Sequence, residues 1–229
     1  MTDALSYVSD NLAAIRESIA EAADKCGRST EEIRIMAVTK TVAPEIVNRA
    51  VELGVTLLGE NRVQEFLSKQ DAYDRSAEVH FIGHLQTNKV KYIIEPMSMI
   101  QSVDSVKLAA EINRLASAHN KIMDILCEVN IGGEDSKSGI APDGLAELLE
   151  AAASMENLRV RGLMTIPPPA SGDIFLGRME ELYHKVKDFY SMDVLSMGMT
   201  HDYADAVRHG STLVRIGTGL FGARDYSKK

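Results

Sequence analysis

Two side chains stand where apolar runs end, and a third feature follows one of them. In IRIMAVTK, Ile33 to Val38 reads as a strand buried on both faces, and Thr39 and Lys40 arrive with no turn residue between. In TLVRIGTGLFG, Arg215 sits inside a similar run, followed by Gly217, Thr218 and Gly219. A lysine amine that is partly desolvated has its ammonium form disfavoured, and the neutral amine condenses with an aldehyde to an imine. Small residues that open a short helix after a strand expose backbone N–H groups able to cradle a phosphate. Arginine is a permanent donor. Together these groups suit an aldehyde that carries a phosphate. Each also has an ordinary reading: a strand-end lysine whose stem covers apolar surface, a plain glycine turn, an arginine in an ion pair. Which reading holds depends on whether the fold brings them together.

The elements needed to do so recur along the chain. Residues 3 to 26 place Leu5, Val8, Leu12, Ile15, Ile19 and Ala22/Ala23 at helical spacing, so a helix leads. Apolar strand patterns follow at 33–38, 55–59, 79–83, 99–103, 123–130, 160–166, 194–198 and 212–217. Between them lie helix patterns, including Pro44 onward to Gly54, 85–94, Ser105 to His119, Pro142 to Ser154 and Phe175 to Phe189. Lys40 and Arg215 lie 175 positions apart, or 25 per strand–helix unit. That period predicts βαβ units on a parallel sheet, and eight of them predict one domain over 1–229, a single (β/α)8 TIM-type barrel with an extra N-terminal helix. An open doubly wound sheet is the alternative. Both put function at the carboxyl ends of the strands.

Bulk properties narrow the classes. Lys and Arg number 25 against 33 Asp and Glu, a net charge of -8, which disfavours nucleic acid and anionic membrane surfaces. MTDALSYVSDNL lacks the basic and apolar regions of a leader, and no apolar run approaches the roughly 18 residues of a membrane span, so a cytoplasmic protein is expected. Cys26 and Cys127 make no disulfide framework and read as structural. His80 and His84 are four apart, but not on a helix, and no further ligand cluster accompanies them, so no metal site is expected.

Collected in a barrel, the strand ends present Lys40, Gly59-Glu60-Asn61, Gly83-His84, Ser102-Val103-Asp104, Asn130, Met164-Thr165, Ser196-Met197-Gly198 and Arg215-Ile216-Gly217-Thr218 to one mouth. GTGLFG matches the dinucleotide pattern G-x-G-x-x-G, but seven residues follow Gly222, too few for a βαβ unit. Its place after the last strand, beside SMGMT, instead fits the phosphate site that barrels build after strands seven and eight. Were the ligand pyridoxal phosphate, Arg215 facing the ring nitrogen would donate to it and keep it unprotonated, which makes the ring a weaker electron sink than an Asp partner does.

Seven motifs in order, MAVTKTV, GENRVQE, HFIGHLQTNK, GEDSKSG, GLMTIPP, LSMGM and VRIGTGLFG, resemble the YggS/PROSC family of pyridoxal phosphate homeostasis proteins over nearly the whole chain. The resemblance implies a barrel similar to the N-terminal domain of alanine racemase, with pyridoxal phosphate held as a Schiff base on Lys40. It implies Arg215 against the pyridine nitrogen, Asn61 and Met164 along the cofactor's sides, and Ser196, Gly198, Thr200, Gly217 and Thr218 around the phosphate. Two departures stand out. The family's Ser-Asp-Asp-Phe after SMGM is Thr200-His201-Asp202-Tyr203 here, which keeps a hydroxyl and replaces an acid; its GHIQSRK is GHLQTNK, with Asn88 in place of a base.

The resemblance implies a carrier that takes part in vitamin B6 homeostasis, with apo-enzymes that use the cofactor as partners; nothing in the chain demands a second copy to complete the site, so a monomer is expected. An amino-acid racemase acting from the same site is the competing reading. Racemisation needs acid/base groups on both faces of the imine, and Lys40 serves one; Tyr203 and Tyr226 are the candidates for the other. A barrel aldolase using Lys40 on a sugar phosphate, and an interaction module without a ligand, are weaker alternatives.

Overall fold

The parallel strands pair in chain order and the last returns to the first, so the sheet closes. The structure, a computed structural model, describes residues 5–134, 136–168 and 172–223. Among these, β1 (Arg34–Val38), β2 (Leu57–Glu60), β3 (Glu78–Phe81), β4 (Met99–Val103), β5 (Met123–Glu128), β6 (Leu158–Met164), β7 (Val194–Ser196) and β8 (Leu213–Ile216) form a closed barrel. Closure sets Met36 of β1 beside Arg215 of β8 and Leu57 of β2. The expected (β/α)8 barrel is the observed one, and the open sheet is excluded.

The leading helix, α1 (Ser6–Lys25), buries the stripe Val8, Leu12, Ile15, Ile19, Ala22 and Ala23. It packs across the end of the chain, where Asn11 Nδ2 donates to Leu220 O at 3.0 Å. The remaining helices are α2 (Pro44–Glu52), α3 (Val63–Lys69), α4 (Val106–Ala118), α5 (Leu145–Ala153), α6 (Gly172–Val186), α7 (Tyr203–Arg208) and α8 (Thr218–Phe221). Pro44 opens α2, where its missing N–H costs nothing, and Ser105 caps α4 by accepting from Leu108 N–H. Their inner faces and the outward faces of the strands form the main core. None of these helices is long and apolar enough to cross a membrane.

Several expected elements are shorter than their apolar patterns, and two of them show why. The second strand begins at Leu57 and not Val55, because Val55 N–H closes α2 by donating to Ala50 O. The expected helix over 85–94 is a 3-10 helix, Thr87–Tyr92. Thr87 and Asn88 favour helix weakly, Pro96 blocks continuation, and Lys121 Nζ takes the carbonyls of Ile94 and Glu95 that a longer helix would use. Residues 3 and 4 of the leading helix pattern, Asp135 of GEDSKSG, and Tyr226 lie outside the described residues.

Inside the barrel, apolar layers of Met36, Val38, Leu57, Ile82 and Leu213 and of Met99, Leu126 and Met164 leave the remaining inward positions to polar side chains. At the amino ends of the strands the charges pair. Asp124 accepts from Arg159 Nε and Nη2 at 2.6 and 2.7 Å and from Arg161 Nη1 at 2.7 Å, Arg161 also holds Asp193, and Arg34 holds Glu78 at 3.1 Å.

Candidate functional site

Lys40 leaves β1 on a turn that the surrounding residues hold in place. Thr39 is fully buried, and its hydroxyl donates to Glu60 Oε1 at 2.7 Å. The next residue but one, Thr41, has φ of 64°, a left-handed conformation that a β-branched residue adopts only under constraint. Its N–H donates to the carboxylate of Glu65, which also pairs with Lys69. Burial works against the ionised Glu65, but these donors outweigh it and hold the carboxyl below its ordinary value. The half-buried Lys40 is thereby presented from a strained, anchored turn.

Arg215 is fixed from inside the barrel. Its Nη1 donates to Ser196 Oγ and its Nη2 to the carbonyl of Thr165, both at 2.7 Å. Ser196 Oγ donates to Gln101 Oε1 at 2.7 Å, so the Gln101 amide nitrogen faces His80 Nδ1 at 2.9 Å. That arrangement leaves the imidazole proton on Nε2, 3.6 Å from Glu78 Oε2. Burial pulls His80 below its ordinary value, and the contact to His80 helps hold Glu78 down to about 2. The result is a one-directional line of hydrogen bonds from the guanidinium to the opposite end of the barrel. Burial lowers Arg215 to about 10, which still leaves it a cation and donor at neutral pH.

Around these two residues lies a cavity of about 190 Å3 lined by Lys40, Asn61, Thr200, Arg215, Gly217 and Thr218. Val38, Ile82 and Ile166 supply apolar wall, and His201 stands at the rim. Gly219 N–H donates to Thr200 Oγ1 at 3.1 Å, and the Thr218 hydroxyl lies 3.4 Å from it. Thr218 N–H begins α8 and so has no partner in that helix's own ladder. Hydroxyls and N–H groups at one end, an amine at another and a guanidinium on the floor are the donor set expected of a phosphorylated pyridine aldehyde.

The structure brings six of the nine expected residues to this cavity. Met164, Ser196 and Gly198 stand behind its wall. Met164 is fully buried in the layer with Met99 and Leu126. Ser196 is fully buried on β7, where its hydroxyl serves Arg215 and Gln101. Gly198 has φ of 93°, and a Cβ there would come within 2.5 Å of Ala206 Cβ, so it lets the loop press onto α7. Asn130 gives its amide to Glu134 O within its own loop. Tyr203 is not among the residues lining the cavity.

Reading strand ends alone overlooked three inward groups, His80, Gln101 and Glu128, and gave no part to Glu60, which turns outward onto Thr39 and Tyr73. Glu60 is buried, which raises its carboxyl against the opposing hydrogen bonds from Tyr73 and Thr39, and its Oε2 has no partner. Glu128, near the end of β5, is pushed up to about 7 by burial and by Asp104, with Arg215 opposing. The available signal was alternation: Asp124, Leu126 and Glu128 share one face of β5, and that face is the interior.

Comparison with known proteins gives the family. Residues 11–225 match the family described as alanine racemase, N-terminal domain. The pyridoxal phosphate homeostasis protein of Aquifex aeolicus is 42% identical over 95% of this chain and 98% of its own length. That of Escherichia coli K12 is 40% identical over 98% of this chain and 100% of its own. The structure of PipY from Synechococcus elongatus PCC7942 with PLP bound superposes with a TM-score of 0.81 at 27% identity, covering 94% of this chain and 100% of PipY. The chain therefore belongs to the pyridoxal phosphate homeostasis protein family, built on the alanine racemase N-terminal barrel.

Proposed function

We propose that the protein binds pyridoxal phosphate reversibly on Lys40 and takes part in vitamin B6 homeostasis, as a cytoplasmic monomer that passes the cofactor to apo-enzymes and performs no catalysis of its own. When bound, pyridoxal phosphate supplies an aldehyde carbon that an amine attacks with loss of water. The observation that carries the reading is the shared cavity of Lys40, Arg215 and the Thr200–Thr218 hydroxyls.

Each residue has a stated part. The turn anchored by Glu65 presents the Lys40 amine. Thr200, Gly217 and Thr218 would hold the phosphate, and Asn61 would bound the ring. Arg215 would donate to the ring nitrogen and keep a proton from it, which would favour holding the cofactor over reacting through it. Met164, Ser196 and Gly198 support these groups from behind. The racemase reading asks for a second acid/base group at the cavity, and Tyr203 does not line it.

Lys40→Ala tests the reading. The variant is expected to fold as the natural chain does, by circular dichroism, while the visible absorption that pyridoxal phosphate develops on the natural protein disappears. A variant that keeps that absorption band would refute the assignment of Lys40.

A further inference from the structure

GENRVQE and HFIGHLQTNK contribute only Asn61 and Ile82 to the cofactor cavity. Several of their other side chains meet in a second groove of about 440 Å3, lined among others by Asn61, Arg62, Gln64, His84, Gln86 and Lys89. Asn61 belongs to both walls, so the two spaces are neighbours. The contact is built in: a Cβ on Gly83 would sit 2.1 Å from Asn61 O, so only glycine lets the loop after β3 press against the loop after β2.

The groove's charge runs against that of the chain. The protein carries -8 overall, yet the groove presents a guanidinium, Arg62, and an amine, Lys89, to one carboxylate, Glu65, on which Arg62 acts. Glu65 is already engaged by Lys69 and Thr41 N–H. Lys89 lines the groove, with its Nζ 5.7 Å from the Tyr92 ring centre, a ring it shares with Lys91 at 4.9 Å. Gln64 and Gln86 add amide donors. Asn61 Oδ1, on the dividing wall, is buried without a partner.

We propose that this groove is a carboxylate subsite, in which Arg62 and Lys89 hold the acid group of a small amino or dicarboxylic acid beside the cofactor cavity. Two basic side chains and two amides along one groove suit a planar carboxylate, and the volume suits a compound of metabolite size. Amino acids are the carboxylates whose amines react with an aldehyde held next door. That last step rests on the reading of Lys40 given above; the subsite itself does not.

Succinate, which has no amine, and glutamate, which has one, are the probes, titrated by calorimetry and by chemical-shift perturbation into the natural chain, Lys40→Ala and the double variant Arg62→Ala/Lys89→Ala. Succinate is expected to bind the natural chain and Lys40→Ala equally, in the millimolar range, and to weaken as salt is added. The double variant, folded by circular dichroism, is expected to lose about tenfold or more in succinate and glutamate affinity while taking up pyridoxal phosphate as the natural chain does. Arg62→Lys with Lys89→Arg is expected to recover part of the loss. Unchanged succinate affinity in the double variant, or no succinate binding to the natural chain, overturns the subsite. A parallel loss of pyridoxal phosphate uptake also overturns it, by assigning the cations to the cofactor phosphate. Failure of the Lys40 reading would appear separately, as a natural chain that takes up no pyridoxal phosphate, with the succinate result intact.

Discussion

The two ends of the barrel treat buried charge in opposite ways. At the amino ends of the strands Asp124 is met by two arginines, Arg161 is shared with Asp193, and Glu78 lies between Arg34 and His80. At the carboxyl ends Asn61 Oδ1, on the cavity wall, has no partner, Glu128 is held near 7, and Thr41 sits in a left-handed conformation. Charge satisfied by near neighbours adds cohesion, whereas groups left short of partners at the opposite mouth are available to a ligand. The hydrogen-bond line from Arg215 through Ser196 and Gln101 to His80 joins the two, so the quiet end orients a residue of the active one.

Substitutions can separate the two ends. Asp124→Ala strips two arginines of their shared acceptor and is expected to cost about 2 kcal/mol of stability, since several charge-assisted hydrogen bonds are lost while both guanidiniums keep access to water. Chemical denaturation measures that loss, and pyridoxal phosphate uptake by the surviving folded protein should be unchanged. Impaired uptake at full occupancy of the fold would show that the two ends are not separate in this sense.

Glu128→Gln should act in the other direction, and only at high pH. Folding raises this carboxyl from 4.5 to about 7 because burial penalises its charge. The folded chain thus binds the proton more tightly than the unfolded one, and the associated stability is complete below pH 4.5 and lost as pH rises through about 7. Glutamine imitates the protonated acid at every pH. The variant is expected to match the natural chain near pH 4.5 and to exceed it above pH 7 by roughly 2 kcal/mol. Lower stability of the variant at pH 8 would mean that the Glu128 anion is needed beside Arg215 more than burial opposes it.

The smallest expected effect is the most discriminating for the site. Ser196 acts on Arg215, so Ser196→Ala should weaken the binding of pyridoxal and of pyridoxal phosphate by the same factor, about fivefold for one charge-assisted hydrogen bond. A loss confined to the phosphate ester would return Ser196 to the phosphate contacts that its motif implied.

Much of this was legible in the sequence. The regular alternation of apolar runs and helical stripes fixes eight strand–helix units, and a closed barrel then delivers Lys40, Arg215 and the glycine turn to one mouth whatever the exact strand limits. Inward groups were harder to read. Ser196, in the strand pattern 194–198, was expected at the phosphate, yet β7 ends on it with its hydroxyl turned inside, and one residue of register decides between those positions. His80 resembled a metal ligand or nothing in particular, because its partner Gln101 is on the next strand and no local spacing marks the pair. The groove of Arg62 and Lys89 depends on a contact between two loops, which Gly83 permits but does not announce.

The central claim is that Lys40 is the residue that takes the cofactor, and it can be read directly. Purified protein would be incubated with pyridoxal phosphate, reduced with borohydride, digested and mapped by peptide mass spectrometry. The account predicts one added pyridoxyl phosphate per chain, on Lys40. Label spread over several surface lysines, or sited on Lys69 or Lys89, would contradict it.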